Sequence, residues 1–547
     1  MRKRSILLVV GAIAMLATLV VGPATAGSER AQRGTVTIIH DQEPPTLRGN
    51  WEDNNLLATA LVTNNIFYGG TIYNAAGKRV PALFTARAKL VKQRPATVTF
   101  TFKKEAVWSD GKPVTCADFV ATWKVFTNPN FNVVSREGYQ DIKKVNCRGK
   151  SGTVIFKTPY AAWESVVSSG VYPAHIIKGQ DMNQMFNNSI PVSSGPWKFQ
   201  SWQKGVQLTV VRNNAFKAGK KMVLDRVVWR YILDTNSRFQ ALKANEGQAM
   251  QSQPQLQIAG FLSDKNFVVN RRPEYAFEHL DIQFGPQGHP ALKQLYVRQA
   301  LATGINRSQI ASAIYRTIAP ETKALQSLIY KPFETGYTEH WKKWKFSQAK
   351  VIQILKGKGC TGGPDKASAN NSAIFSCPNV GKLSFRFGTT TGNQLRALAF
   401  EIMQRQLKSV GIELVPRFQS AGVLFGTTLP SSDWDLLMFT YGQVPDSKIT
   451  ANGLYSCPNN RGDQNYGLWC NQKATALLNK VTQTLDEAKR TQMLNQVEAK
   501  YISTQIPSIP LAARPAFTLR STKVKGPAVN VTSEGMPWNV ATWTTSS

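Results

Sequence analysis

Between Val98 and Asn128 the chain changes its hydrophobic period once, and that change dictates a local architecture. Val98-Thr99-Phe100-Thr101-Phe102 alternates bulky and small polar side chains, which puts one face of a strand in a core and the other towards solvent. Asp110-Gly111 follows as a tight turn, because Gly accepts the positive φ that other residues resist. Thr115 then stands where a helix N-cap belongs, with Asp118 three residues on as a short form of the capping box. Phe119, Val120, Trp123 and Phe126 recur at helical spacing, and Asn128-Pro129 stops the helix. A strand leading through a turn into a capped core helix is as far as periodicity alone takes the reading.

The string Trp108-Ser109-Asp110-Gly111-Lys112-Pro113-Val114-Thr115-Cys116-Ala117-Asp118-Phe119 also resembles W-S-D-G-x-P-V-T-A-x-D-F, a segment of the large extracellular solute-binding proteins of peptide-type ABC importers. Cys116 replaces the usual Ala. Ser193-Ser194-Gly195-Pro196-Trp197-Lys198-Phe199 resembles that family's G-T-G-P-Y-K-L. Val297-Arg298-Gln299-Ala300-Leu301 with Ile305-Asn306-Arg307 resembles V-R-Q-A-L and I-D-R. Asp433-Trp434-Asp435-Leu436 resembles D-Y-D-L, and Pro507-Ser508-Ile509-Pro510-Leu511 resembles P-x-I-P-L. The resemblance, to bacterial extracellular solute-binding protein family 5 (the peptide/nickel type), runs over nearly all of residues 35 to 530. It is weakest in the Gly/Ser/Asn-rich stretch 357–378.

This resemblance implies an α/β, two-lobe periplasmic-binding-protein-like fold of type II, in its large three-subdomain form, with a hinge and an interlobe ligand cleft. The expected division is a first lobe of 27–70, 189–272 and 506–547, an inserted subdomain at 71–188, and a second lobe at 273–505. The implied function is capture of a peptide or related solute and its delivery to an ABC permease, without catalysis and without a cofactor or metal. Ligand-binding candidates are Tyr441, Gln443, Asp446, Trp434, Asn393 and Thr390 in the second lobe, with Glu43 and Thr46 in the first. Relatives carry an acid after the D-Y-D-L strand that pairs with a peptide amino group, and Asp446 stands near that place. Relatives of the dipeptide type carry an Arg before the helix expected at 393–410; here Thr389-Thr390-Thr391 stands there, so a longer peptide or a non-peptide solute fits better than a dipeptide. Trp434 alternates with Leu436 and suits a core position equally well, and Glu43 and Thr46 suit a Pro-rich turn. Arg298 and Arg307 are expected on a helix surface or in ion pairs.

Arg2-Lys3-Arg4, the apolar run Ile6–Val21 and Ala24-Thr25-Ala26 read as a secretory signal over residues 1–26. The run is short of the roughly 20 apolar residues of a membrane span. Gly27, not Cys, follows the cleavage site, so lipid attachment there is not expected. Six cysteines agree with export. They admit about 15 connectivities. The sequence-adjacent pairing Cys116–Cys147, Cys360–Cys377 and Cys457–Cys470 closes loops of only 31, 17 and 13 residues. A metal site is the rival reading, but there is no C-x-x-C, and His40, His175, His279, His289 and His340 lie far from the cysteines.

Lys and Arg outnumber Asp and Glu by 66 to 33, a net +33. That field suits anionic envelope polymers as partners, but the basic residues form no run and no aromatic-basic repeat of the kind that binds nucleic acid. An envelope-binding or adhesive protein on the same fold is therefore the alternative class. A secreted hydrolase is a poor fit, since the chain has no G-x-S-x-G and no H-E-x-x-H. The expected product is an exported, monomeric binding protein.

Overall fold

A computed structural model describes residues 34–219, 222–251 and 253–546; the secretory signal expected at 1–26 lies outside them. Ten strands join in one mixed sheet. Their order is Glu413–Gln419, Ser384–Thr390, Leu436–Tyr441, Phe267–Ile282, Ser508–Ser521, Ala249–Gln251, Thr35–His40, Arg226–Tyr231, Gln207–Arg212 and Trp197–Gln203. The two central strands, of 16 and 14 residues, pair antiparallel and carry the chain between two hydrophobic cores. One core gathers Phe277, Leu301, Phe385, Met403 and Leu478 with their neighbours. The other gathers Val36, Trp51, Trp108, Trp197 and Trp543. Phe239, Leu242, Ile258 and Phe261 pack into the former, although the sequence assigns their segment to the first lobe.

The crossing pair is interrupted where proline sits opposite proline. Pro273 faces Pro515, and the register slips before Phe277 faces Ala513. Proline has no N–H to give to a ladder, so pairing breaks there and a bulge forms. The buried side chains of Glu274 and Arg514 meet in this gap as an ion pair.

In the second lobe, Ser384–Thr390 and Glu413–Gln419 pair in parallel across the helix Gln394–Lys408. This is the βαβ unit that the pattern predicts. Gly411 takes φ +83° just beyond the helix, the left-handed conformation that a C′ position needs. Arg298 and Arg307 depart from expectation. Both are buried, and neither forms an ion pair among the described residues. Arg298 donates to the carbonyls of Gln505 and Leu292 at 2.7 Å each, and Arg307 to those of Leu325 and Trp341. Each guanidinium, with five donors, ties a helix to backbone carbonyls of neighbouring segments.

The opening segment of the sequence folds as its period dictates. Ala96–Thr101 lies in a four-stranded antiparallel sheet with Lys89–Gln93, Ser151–Phe156 and Ile142–Arg148. The helix Cys116–Thr127 packs on it, Thr115 caps its N-terminus, and the capping box with Asp118 is complete. One Asp118 oxygen accepts from Thr115 N at 2.8 Å and the other from Ala174 N at 2.8 Å. All three sequence-adjacent disulfides are present. Cys116–Cys147 ties this helix to its sheet. No helix among the described residues is long and apolar enough to cross a membrane.

Thr115→Ala is expected to cost about 1 kcal/mol in urea unfolding. Asp118→Ala is expected to cost more, because it strands two backbone donors. A parental unfolding midpoint for Asp118→Ala would refute this account of the cap.

Candidate ligand cleft

Two adjoining cavities of about 410 and 400 Å³ open between the lobes, each within the usual range for ligand sites. They share Gly49, Asn50, Thr63, Asn64 and Gln464. The first is walled by His40, Asp41 and Leu57 on one side and by Arg396, Phe439, Thr440 and Tyr441 on the other. The second runs from Phe67, Tyr73 and Arg79 past Glu137, Ser165 and Tyr172 to Val444 and Glu534.

Tyr441, at the end of the strand Leu436–Tyr441, forms a wall of the first cavity as the sequence predicts. Its ring stacks on His279 with centroids 4.5 Å apart, and its hydroxyl donates to Asp281 Oδ2 at 3.2 Å. Burial and the Asp281 charge push this phenol far up, so it stays neutral. His279 lies on the crossing strand with no solvent exposure and neither ring nitrogen hydrogen-bonded. It serves as a packing surface under Tyr441.

Arg396 forms part of the same wall. It is buried, and its guanidinium donates to Glu278 Oε1 and Oε2 at 3.1 Å each, to Thr390 Oγ1 and to Thr440 Oγ1. Burial works to raise the Glu278 carboxyl, but the Arg396 charge and hydrogen bonds prevail and hold it below its ordinary range. Arg396 escaped the sequence reading. The signal was there: it shares the apolar stripe of its helix with Ala399, Phe400, Met403 and Leu407, where a charge requires a buried partner.

Asp446 bridges the lobes. Its Oδ2 accepts from Tyr73 Oη at 2.9 Å, from Arg79 Nε and Nη2 at 3.2 and 3.0 Å, and from Ser165 Oγ at 3.0 Å. Burial favours its protonation, yet the Arg79 charge and the hydrogen bonds from Arg79, Tyr73 and Ser165 hold it below the usual carboxylate range. A second clasp lies across the cavity. Arg461 reaches from the loop closed by Cys457–Cys470 to Asp141 at 2.8 and 2.5 Å and to Glu137 at 3.2 Å. Asp463 of the same loop accepts from Ser135 Oγ at 2.9 Å. No local pattern announced these pairs, since their members lie 281 or more residues apart.

The remaining predicted residues lie elsewhere. Gln443 lines a crevice of about 20 Å³ beside Glu274 and Arg514, and its carbonyl accepts from Ser533 N. Asn393 caps the helix Gln394–Lys408 and donates to Gln253. Thr390 is buried beneath Arg396. Trp434 is packed among Leu424, Leu429, Leu437 and Phe439 and lines neither cavity of the cleft; its place in the strand pattern faces it inward. Glu43 is held by Trp202 Nε1 and Gly205 N, and Thr46 by Arg48 N and Asn54 Nδ2. Both build the Pro-rich turn and line neither cavity.

The model of the bacterial extracellular solute-binding proteins, family 5 middle region, matches residues 79–462, which span the inserted sheet, the crossing strand Phe267–Ile282 and most of the second lobe. The chain belongs to this family. Among relatives of the family, the oligopeptide-binding protein OppA of Mycobacterium tuberculosis is 24% identical over 528 residues, covering 91% of this chain and 86% of its own. The oligopeptide-binding protein AppA of Bacillus subtilis is 22% identical over 414 residues, 74% of this chain and 73% of its own. The solved structure of AppA in complex with a nonapeptide superposes with a TM-score of 0.80 at 18% identity, over 94% of this chain and 100% of that one. The periplasmic EDTA-binding protein EppA superposes at 0.81 with 19% identity, over 94% and 97%. The family's two-lobe fold is therefore shared, at identities too low to transfer a ligand.

Arg461→Met leaves Glu137 and Asp141 facing each other without a cation. The lobes are expected to part, with a larger radius of gyration in small-angle scattering at neutral pH. Burial already pushes the Glu137 carboxyl up, against the pull of Arg461. Acidification of the variant should therefore neutralise Glu137 early and partly restore closure. An unchanged radius would show that this clasp does not hold the lobes.

Proposed function

We propose that this chain is the extracytoplasmic solute-binding component of an ABC importer, capturing a peptide between its lobes and presenting the closed form to a membrane permease. The observation that carries the reading is the pair of cavities enclosed between two lobes and closed by ion pairs across the cleft. Such a space admits a ligand only when the lobes part, and the interrupted crossing strands are where a hinge motion would be absorbed. The oligopeptide-binding relatives OppA and AppA favour a peptide. Two joined spaces near 400 Å³ each also suit a chain of several residues better than a single metabolite.

Tyr441 and Arg396 form the second-lobe wall against the ligand in this reading. Asp446 and Arg461 act as closure contacts, and Gln443 moves with the hinge. The division into a first lobe of 27–70, 189–272 and 506–547, an inserted subdomain at 71–188 and a second lobe at 273–505 fits this mechanism, with Phe239, Leu242, Ile258 and Phe261 of the middle segment docked on the second lobe's core. So does an exported monomer that carries no catalytic centre. The positive surface assists residence at an anionic envelope.

Mass spectrometry of the denatured, purified protein tests the reading through what co-purifies. A ladder of peptides with mixed side chains is the expected result. Recovery of one non-peptide solute would overturn the peptide assignment while keeping the binding-protein one. Stabilisation by polyanions, with no response to a peptide panel, would overturn both.

A further inference from the structure

Seven carboxylate, guanidinium or imidazole side chains line the two cavities, and six of them have a charged partner within the protein. His40 faces Asp41 at 3.5 Å. Arg396 is paired with Glu278, Arg514 with Glu274, Arg79 with Asp446 and Glu137 with Arg461. Glu534 is different. Among the described residues it forms no ion pair, and its carboxylate is met only by neutral donors, the Asn64 Nδ2 amide at 3.4 Å and the Tyr73 backbone.

The loop that carries Glu534 is built to hold it in place. Asn530 Oδ1 accepts from Thr532 N and Oγ1 at 2.9 and 2.6 Å, while its Nδ2 donates to Tyr73 O at 2.9 Å. Thr532 Oγ1 accepts from Glu534 N at 3.2 Å, and Met536 N donates to Gln251 Oε1 at 2.9 Å. Gly535 takes φ +63°, and a Cβ there would fall 2.3 Å from Leu61 Cδ2. Only glycine lets the loop press this closely on the helix Leu57–Thr63. The carboxylate is thus fixed in a cavity that also presents the Tyr73 ring.

We propose that Glu534 is the cation subsite of the cleft, receiving an ammonium or guanidinium group of a bound peptide. The inference rests on the peptide-binding reading above and names the ligand chemistry that reading leaves open. Asp446 cannot take this part without giving up Arg79, Tyr73 and Ser165. Glu534 gives up nothing comparable, and a ligand cation supplies the counter-charge that its site lacks. Burial pushes the Glu534 carboxyl up, only partly offset by the Tyr73 backbone, the Asn64 amide and the more distant Arg79 charge. The sign of the pH dependence follows. Affinity for a cationic ligand is full where Glu534 is ionised and falls as acidification protonates it. The chain as a whole, at net +33, offers such a cation little other attraction.

Isothermal titration with trialanine, N-acetyl-trialanine amide and N-acetyl-Ala-Lys-Ala amide, on the parent protein and on Glu534→Gln, tests this directly. Loss of one charge-assisted hydrogen bond corresponds to roughly 10-fold or more in affinity. Glu534→Gln should weaken whichever probe places a cation in the subsite by that factor and leave the uncharged probe unchanged. A loss confined to trialanine assigns the subsite to the peptide amine, and one confined to the lysyl probe assigns it to a basic side chain. The variant keeps the shape of the loop, and an unchanged or raised melting temperature certifies its fold. Equal binding of all three probes by parent and variant would overturn the cation subsite while leaving peptide capture intact. Failure of every probe to bind the parent would overturn the peptide reading and this inference with it.

Discussion

The antiparallel pairing of Phe267–Ile282 with Ser508–Ser521 is the contact on which the rest of the molecule depends. Each lobe's share of the large sheet ends on one of these strands, so their pairing makes one sheet of two halves. The slip opposite Pro273 and Pro515, followed by a second between Glu278 and His279, opens the ladder in the middle. A backbone without its regular hydrogen bonds bends at lower cost than one inside a full ladder. The gap is closed by the buried Glu274–Arg514 pair, and Glu278, just beyond it, holds Arg396 in the cleft wall. Buried ion pairs of this kind contribute little net stability, because desolvation consumes most of the Coulomb gain. What they contribute here is a fixed position for the wall relative to the hinge.

The interlobe clasps obey a different rule. Arg461 and Asp446 each keep part of their side chain in solvent. Partly exposed pairs are worth on the order of 1 kcal/mol or less, against the several kcal/mol needed to shift a conformational equilibrium completely. A carrier must release its ligand, so closure contacts of this strength suit a cycle of capture and delivery. The Cys457–Cys470 bridge keeps the loop of Arg461 and Asp463 short, which limits the entropy lost each time the clasp forms.

Within this frame the charge of the cleft runs against that of the whole. The protein is strongly basic, yet the bases in its cleft, Arg79, Arg396 and Arg514, are each matched by an acid. Long-range attraction to anions and short-range choice of ligand are thereby separated. The first is a property of the outer surface, and the second of the few side chains that meet the ligand in a dry space.

The sequence by itself determined the elements whose residues interact at short range. The capped helix at Thr115, the βαβ unit ending at Gly411 and the three sequence-adjacent disulfides all follow from period, capping chemistry and spacing. The place of Tyr441 on a cavity wall was legible because it ends a recognisable strand. The crossing strands were not legible. Phe267–Ile282 is exposed over its charged first half and buried on both faces over its second, so no single period runs through it, and prolines interrupt both partners. Trp434, Thr390, Glu43 and Thr46 were plausible by position but were already engaged in packing or turns. The clasps, the Arg396–Glu278 pair and the unpaired Glu534 were decided by tertiary structure alone. Each depends on groups more than 100 residues apart meeting in a low-dielectric space, and neither propensity nor periodicity carries information over that distance.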